Sequence, residues 1–296
     1  FALFDKINEG KIIRKDWVGP SLAVGARNKP EMSKDFSNLL TEYEQRAPLL
    51  TAKPAVIHLE SVRGCPYSCA MCHYRRTKPE KISPEILKKI EPYFKDLEVL
   101  TIHGLGEPLL SDLDYFVEQA VENNLVLHLN TTAFFMTRKI ADLLLRTRLS
   151  IRFSIHSGKP ETYQKLMAHD FKRIRENISY LLNQAKDAGD RNDFWCSFLV
   201  MRENLEEIED FLQLVHDLGI KNVRFMRLNP NWQTLKGVRM SSDFTFRYLE
   251  QCNKQVIDIF HQRLPRYQEI AAQLGVNIRY GSMPSRLAAA YNLKRL

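Results

Sequence analysis

The feature that most constrains the fold is an alternation along the chain. Short runs dominated by apolar and β-branched residues are separated by longer amphipathic stretches. The runs are AVIHLE (55–60), EVLTIHG (98–104), LVLHLN (125–130), SIRFSIH (150–156), FWCSFLV (194–200), NVRFMRL (222–228) and VNIRY (276–280). Such runs predict strands covered on both faces. Between them, apolar residues recur at helical spacing. Phe171, Ile174, Ile178, Leu181, Leu182 and Ala185 form one face of a helix ending at Gly189, and Ile208, Phe211, Leu212 and Val215 one of a helix ending at Gly219. Ser83 before Pro84, and Asp112 before the stripe Leu113, Phe116, Val117 and Ala120, mark helix starts. Parallel strands cannot be joined by a tight turn, so repeated strand–helix–strand units imply right-handed crossovers. Six units fall short of the eight that close a barrel. The expected fold is therefore α/β, a curved partial (β/α)6 barrel of parallel strands, with its active site in the loops at the C-terminal strand ends.

Three regions follow from this pattern. Residues 1–50 are rich in turn formers (GPSLAVGARNKPEMSK) and are expected to be an N-terminal extension lying across the barrel. Residues 51–234 hold the barrel core. Residues 235–296 form a looser C-terminal extension, read as a helix over 241–264, another over 265–274, a strand and a polar tail. With 44% hydrophobic and 26% charged residues, the composition is that of a soluble globular protein. No apolar run approaches the ~20 residues of a membrane helix, and the N-terminus lacks the order of a signal peptide. The expectation is a cytoplasmic protein with no membrane partner. The formal charge of +8 makes an anionic partner conceivable, but the basic residues are dispersed through KKI, YRRTK, FKRIRE, RFMR and NLKRL, which disfavours nucleic acid.

Of the five cysteines, Cys65, Cys69 and Cys72 sit within eight residues, a layout that suits a metal site in a reducing compartment better than disulfides. Cys196 and Cys252 stand alone, and Cys196 in FWCSFLV reads as a small buried hydrophobe. The segment AVIHLESVRGCPYSCAMCHYRR places C-x3-C-x2-C just after the first strand. Thiolates suit iron–sulfur clusters or zinc, and three of them can hold three corners of a four-iron cube and leave the fourth iron open. The alternative is a zinc- or cluster-stabilised binding protein without catalysis. For zinc, His73 would be the fourth ligand, an awkward neighbour of Cys72, and no second ligand pair closes the usual knuckle.

In this arrangement the chain resembles the radical S-adenosylmethionine (SAM) superfamily over about residues 54–230, whose cluster loop is C-x3-C-x2-C after the first barrel strand. GLGEP (Gly104–Pro108) resembles the family's Gly-Gly-Glu-Pro loop with Leu105 inserted, and LNTTA resembles its Asn-Thr-Asn-Gly stretch. FSIHSGKPETYQKLM resembles the Ser-Ile-Asp-Gly and Glu-Thr-Tyr segments of the branch with SPASM or twitch extensions, and FLVMRENLEEIEDF, with Asn204, resembles the same branch. The resemblance implies an oxygen-sensitive enzyme with two cofactors, a 4Fe-4S cluster on Cys65, Cys69 and Cys72, and SAM. Its reductive cleavage there would give a 5′-deoxyadenosyl radical that abstracts hydrogen from substrate. By the same resemblance Gly104, Gly106 and Glu107 receive the cofactor's ammonium, Asn130 and Ser154 contact its ribose or carboxylate, and Met71 packs on the adenine. Met201, Met226 and Leu228 serve equally as adenine walls or core.

The chain also departs from the pattern. His156 and Ser157 replace the usual Asp-Gly, and Met167 stands where an arginine usually holds the cofactor carboxylate. Lys165, Arg202 and Arg224 are the substitutes considered. The cysteines of auxiliary clusters are missing, so 235–296 is either a truncated SPASM-like region or a cluster-free substrate platform. Tyr67, His103, His128 and His156 are nominees for handling the substrate radical or its proton. The implied partners are a peptide or small-molecule substrate and an external electron donor such as flavodoxin or ferredoxin, with radical modification of RNA as a second enzyme reading.

Overall fold

The alternation resolves into one seven-stranded sheet in which every neighbouring pair is parallel and the strand order follows the chain. A computed structural model of the chain describes residues 38, 41–46, 48–49, 51–186, 191–228 and 237–280. The strands are β1 (Val56–His58), β2 (Val99–Thr101), β3 (Val126–Thr131), β4 (Arg148–Ser154), β5 (Asp193–Val200), β6 (Asn222–Arg227) and β7 (Asn277–Tyr280). Among the described residues β1 and β7 do not pair, so the barrel is open along that side. The strand assigned to the C-terminal extension is thus a seventh member of the main sheet, parallel to β6.

The helices are α1 (Pro84–Ile90), α2 (Leu113–Glu122), α3 (Arg138–Leu144), α4 (Pro160–Met167), α5 (Phe171–Ala185), α6 (Ile208–Asp217), α7 (Tyr248–Gln251) and α8 (Lys254–Gln273). Ser83 caps α1 by accepting the Ile86 N–H, with Pro84 in the first turn. Asp112 sits at the start of α2 but its side chain makes no capping bond there. The apolar stripes of α2, α5 and α6 are buried as their spacing predicts. Gly219, at φ +80, follows α6; Gly189, the expected stop of α5, lies outside the described residues, as do most of the 1–50 extension and the 234/235 boundary.

The two helices expected over 241–264 and 265–274 are placed differently. An antiparallel ribbon, Val238–Arg239 with Thr245–Phe246, comes first, then α7, and then α8 runs unbroken through Pro265. A proline inside a helix costs ~3 kcal/mol or more. Here a buried face of Val256, Ile257, Phe260, Leu264, Tyr267 and Ala271 holds the helix against the sheet on both sides of it.

The strands are not apolar on both faces. Phe198 meets Phe211 of α6 at 4.5 Å between ring centroids, and Phe225 meets Phe260 of α8 at 5.4 Å, which fixes the helix-facing side. Leu127, Leu129, Ile151, Phe153 and Cys196 share that side through the register and are fully buried. The alternate positions, among them His128, Asn130, Ser150, Arg152, Trp195 and Arg224, make the inner face polar. Among the described residues no helix is long and apolar enough to cross a membrane.

Because α8 is sealed to the sheet through Phe260, Phe260→Ala is expected to cost about 3–5 kcal/mol and to lower the midpoint of one cooperative transition in denaturant unfolding. A second, separately shifted transition would show that the C-terminal helix folds as its own unit.

Candidate active site

After β1, Val62–Arg63 pairs antiparallel with Glu80–Lys81, and this ribbon closes the loop that carries the three cysteines. Gly64 takes φ +88, and a Cβ there would sit 2.4 Å from the Lys78 carbonyl oxygen, so the closure tolerates no side chain. Thr77 clamps Cys65 twice: its hydroxyl accepts the Cys65 N–H at 2.9 Å and its own N–H donates to the Cys65 carbonyl at 2.9 Å. The Ala70 N–H donates to Leu166 of α4 at 2.7 Å, and the Tyr248 hydroxyl of α7 donates to the Met71 carbonyl.

Held in this way, the three thiols lie close enough to repel one another as thiolates. Burial pushes Cys65 up to about 12 and Cys69 well above its ordinary range, with Cys72 and Glu107 adding to both and Cys65 adding to Cys69. Burial also raises Cys72. Two buried sulfurs and a half-buried one, set close together, need a cationic metal group to be stable as thiolates. A single zinc ion would need a fourth ligand beside the three thiolates. His73 instead stacks on Tyr248, with ring centroids 5.7 Å apart. The all-thiolate donor set suits a cube that spreads three thiolates over three irons, and His73 is engaged with Tyr248.

The loop after β2 forms the second wall. Gly64 and Gly106 form a parallel backbone bridge, and a Cβ on Gly106 would lie 2.4 Å from the Val62 carbonyl oxygen and 2.7 Å from that of Gly64. Gly104 presses against the Glu60 side chain, whose Oε1 accepts the Leu105 N–H at 3.0 Å. Leu105, the inserted residue, points out and is exposed. Glu107 is buried. Its Oε1 accepts the Thr131 hydroxyl at 2.6 Å and the Leu109 N–H at 3.2 Å, whereas Oε2 has only long contacts of 3.4 Å from the N–H and hydroxyl of Thr132. Burial raises the Glu107 carboxyl to about 7 against the pull of these donors. Oε2 is thus the side with capacity left for a ligand ammonium.

Asn130, in β3, has a buried Oδ1 with no hydrogen-bond partner. Ser154 ends β4 and is in register with Ser197. Cys65, Cys69, Cys72, Met71, Gly104, Gly106 and Glu107 are therefore brought together by two touching loops, with Asn130 and Ser154 at the carboxyl ends of the next two strands. The departures have structural explanations. The Ser157 hydroxyl donates to Glu207 Oε2 at 2.7 Å, and the same carboxylate accepts Gly158 N–H and the Thr162 hydroxyl, which ties the loop after β4 to the start of α6. His156 Nδ1 accepts the Leu199 N–H at 3.3 Å, and its carbonyl accepts from buried Asn204 at 2.8 Å. His156 and Asn204 are thus structural ties. Tyr67 is a wall of the cluster loop, packed on Phe135 and His169 at 4.8 and 3.8 Å between centroids, while His103 and His128 do face the barrel interior.

Met167 is buried and brings no charge to the position of the expected arginine. Of the substitutes, Lys165 pairs with Glu203 and Arg202 with Glu250. Three residues with no local sequence signal also belong to the site region: Tyr248, Glu207 and His169, whose Nε2 lies 3.7 Å from Cys69 Sγ. Their contacts span separations of 177, 50 and 100 residues, beyond the reach of any local pattern.

The family model described as "Radical SAM superfamily" matches residues 59–215, more than half of the 296-residue chain. Curated relatives include a probable GTP 3',8-cyclase of Pyrobaculum aerophilum, 26% identical over 176 residues, which are 56% of this chain and 55% of that protein. A probable GTP 3',8-cyclase of Saccharolobus islandicus is 27% identical over 172 residues, 56% of this chain and 54% of that protein. The chain thus spans about half the length of these relatives. Among solved structures, SuiB of Streptococcus suis bound to S-adenosylmethionine superposes with a TM-score of 0.62 at 13% identity, covering 87% of this chain and 56% of SuiB. The enzyme anSMEcpe with bound AdoMet gives 0.57 at 16% identity, covering 76% of this chain and 63% of that one. These two likenesses establish the fold.

The Glu107 carboxyl supplies a pH test. Unfolded, it loses its proton near its ordinary value of 4.5; folded and without ligand, it keeps it to about 7. The folded state binds more protons between those values, so the stability due to Glu107 falls as pH rises through that window and is flat above it. Relative to Glu107→Gln, the wild type is expected to lose on the order of 3 kcal/mol from pH 4.5 to 7 in denaturant unfolding. A pH-independent difference would show that the carboxyl is not raised.

Proposed function

The chain belongs to the radical SAM superfamily, and from that premise we propose that Cys65, Cys69 and Cys72 hold a 4Fe-4S cluster beside which S-adenosylmethionine binds. When bound, that pair supplies one-electron cleavage of the sulfonium and a 5′-deoxyadenosyl radical able to take a hydrogen atom from a substrate carbon. The observation that carries the reading is the ribbon-closed loop that gathers the buried thiols of Cys65 and Cys69 and the half-buried Cys72 against Gly106 and Glu107.

The protein's own residues bind and orient. Glu107 Oε2 and the backbone carbonyls around Gly104 and Gly106 accept from the cofactor ammonium. Asn130 Oδ1, otherwise without a donor, accepts from a ribose hydroxyl. Ser154 hydrogen-bonds the ribose or carboxylate from the end of β4, and Met71 packs on the adenine. The buried strand ends and the wall of Tyr67, Phe134 and Phe135 exclude water and stray hydrogen donors. An external donor such as flavodoxin or ferredoxin supplies the electron.

The substrate is a small molecule. The relatives' name supports this class, as does the polar inner face of the sheet, which suits a compact polar ligand. The β ribbon, α7 and α8 act as the platform on the substrate side, in place of a region with auxiliary clusters.

Anaerobic reconstitution with iron and sulfide, followed by dithionite and S-adenosylmethionine, is expected to give 5′-deoxyadenosine detectable by chromatography. Cys69→Ala is expected to fall to the protein-free background. Equal product from wild type and variant, or none from either, would overturn the reading.

A further inference from the structure

The inner face of the sheet carries charge that the cofactor site does not use. Across β3 to β7 the register aligns Asn130, Arg152, Trp195, Asn222 and Asn277 in one row. The next row toward the carboxyl ends holds Ser154, Ser197, Arg224 and Arg279. The Arg279 guanidinium lies over the Trp195 ring at 4.7 Å. Arg152 and Arg224 are half-buried, and the Arg152 Nε is buried with no hydrogen-bond partner. Burial, then the neighbouring Arg224 charge, holds Arg152 down to about 10; burial, then Arg279, lowers Arg224.

Among the described residues, none of these three arginines forms an ion pair. Asp193 is the carboxylate that faces Arg152, and it accepts the Trp195 indole N–H at 2.7 Å. On the opposite flank stand His58, His103 and His128, with ring centroids 4.1 and 5.8 Å apart in succession. Burial, then His58 and Arg152, holds His103 to about 4, and burial, then Arg152, holds His128 to about 3, so both are neutral at pH 7. His128 Nδ1 is already paired with the Ser150 hydroxyl at 2.9 Å. Among the described residues, one carboxylate faces three guanidiniums, of which Arg152 and Arg224 are half-buried and Arg279 exposed, so positive charge is concentrated where burial makes it costly unless a ligand neutralises it.

We propose that Arg152, Arg224 and Arg279 bind the phosphate group of a phosphorylated small-molecule substrate, on the inner face beside the cofactor site. The inference rests on the reading of the chain as a radical enzyme and names the substrate class of that same barrel. A carboxylate would cancel one charge and offers two oxygens. A phosphate monoester carries ~−1.5 to −2 and three oxygens, which matches three planar donor forks and the excess charge. Anchored there, the remainder of the substrate extends toward the strand ends, where the hydrogen to be removed must lie.

The test uses the cluster-reconstituted chain under anaerobic conditions, with inorganic pyrophosphate as the probe in isothermal titration. The wild type is expected to bind pyrophosphate, and Arg152→Gln/Arg224→Gln to bind it at least about tenfold more weakly. Arg279→Gln, at the exposed edge strand, is expected to weaken binding severalfold without loss of fold. Malonate, a dicarboxylate of similar size, is expected to bind at least about tenfold more weakly than pyrophosphate, and equal binding would overturn the phosphate assignment. Saturating S-adenosylmethionine is expected to leave pyrophosphate affinity unchanged; competition would place these arginines at the cofactor carboxylate and overturn the proposal. Unliganded Arg152→Gln is expected to melt at or above the wild-type temperature, because it relieves repulsion. Unchanged pyrophosphate affinity in all the variants, or a melting temperature well below wild type for Arg152→Gln, would also overturn it. Production of 5′-deoxyadenosine is scored separately: its absence beside arginine-dependent pyrophosphate binding refutes the enzyme reading and supports the anion site.

Discussion

The site depends on one close approach of two backbones, the bridge between Gly64 and Gly106. Neither position has room for a methyl group, because a Cβ on either would stand 2.4 Å from a carbonyl oxygen. The contact fixes the cluster loop to the loop after β2, so the thiols and the Glu107 carboxyl share one desolvated volume. Desolvation in turn makes both the sulfurs and the carboxyl poor anions when alone. The proposed cluster and ligand ammonium would supply the charges that this volume lacks. The electrostatic need therefore follows from a steric fact about two glycines.

A second layer of organisation comes from the parallel register. Successive residues of a strand face opposite ways, and parallel pairing carries each residue's direction across the sheet. The helix-facing positions became a continuous aromatic and aliphatic core through Phe153, Phe198 and Phe225. The other positions became a polar chamber. One register sets both, which allows the chamber's chemistry to vary while the core remains packed.

The strands, most helices and the cluster loop were legible in the sequence because their signals are local. Apolar runs mark strands, the capping Ser83 with Pro84 marks α1, and the spacing of Cys65, Cys69 and Cys72 marks the loop. What was not legible lies in contacts between distant segments. Pro265 read as a break, but the packing of α8 overrides it. The strand at Asn277–Tyr280 was assigned to an extension, and only its pairing with β6 makes it part of the barrel. Arg224 was weighed as a cofactor contact and Arg152 and Arg279 carried no signal of their own, since a strand too short to show clean alternation hides which face a residue takes. Ser157 departed from the family pattern, and its compensation by Glu207 lies on another element 50 residues away.

The hydrogen bond from Tyr248 to the Met71 carbonyl has a consequence for the order of events in the cell. The two residues are 177 positions apart in the chain. At ~5–20 residues per second, a ribosome needs on the order of 10–30 s to travel from one to the other. Throughout that interval the cysteine loop has emerged without the contact that finishes its shape. The loop that would take the metal and the contact that completes its shape are thereby separated in time during synthesis.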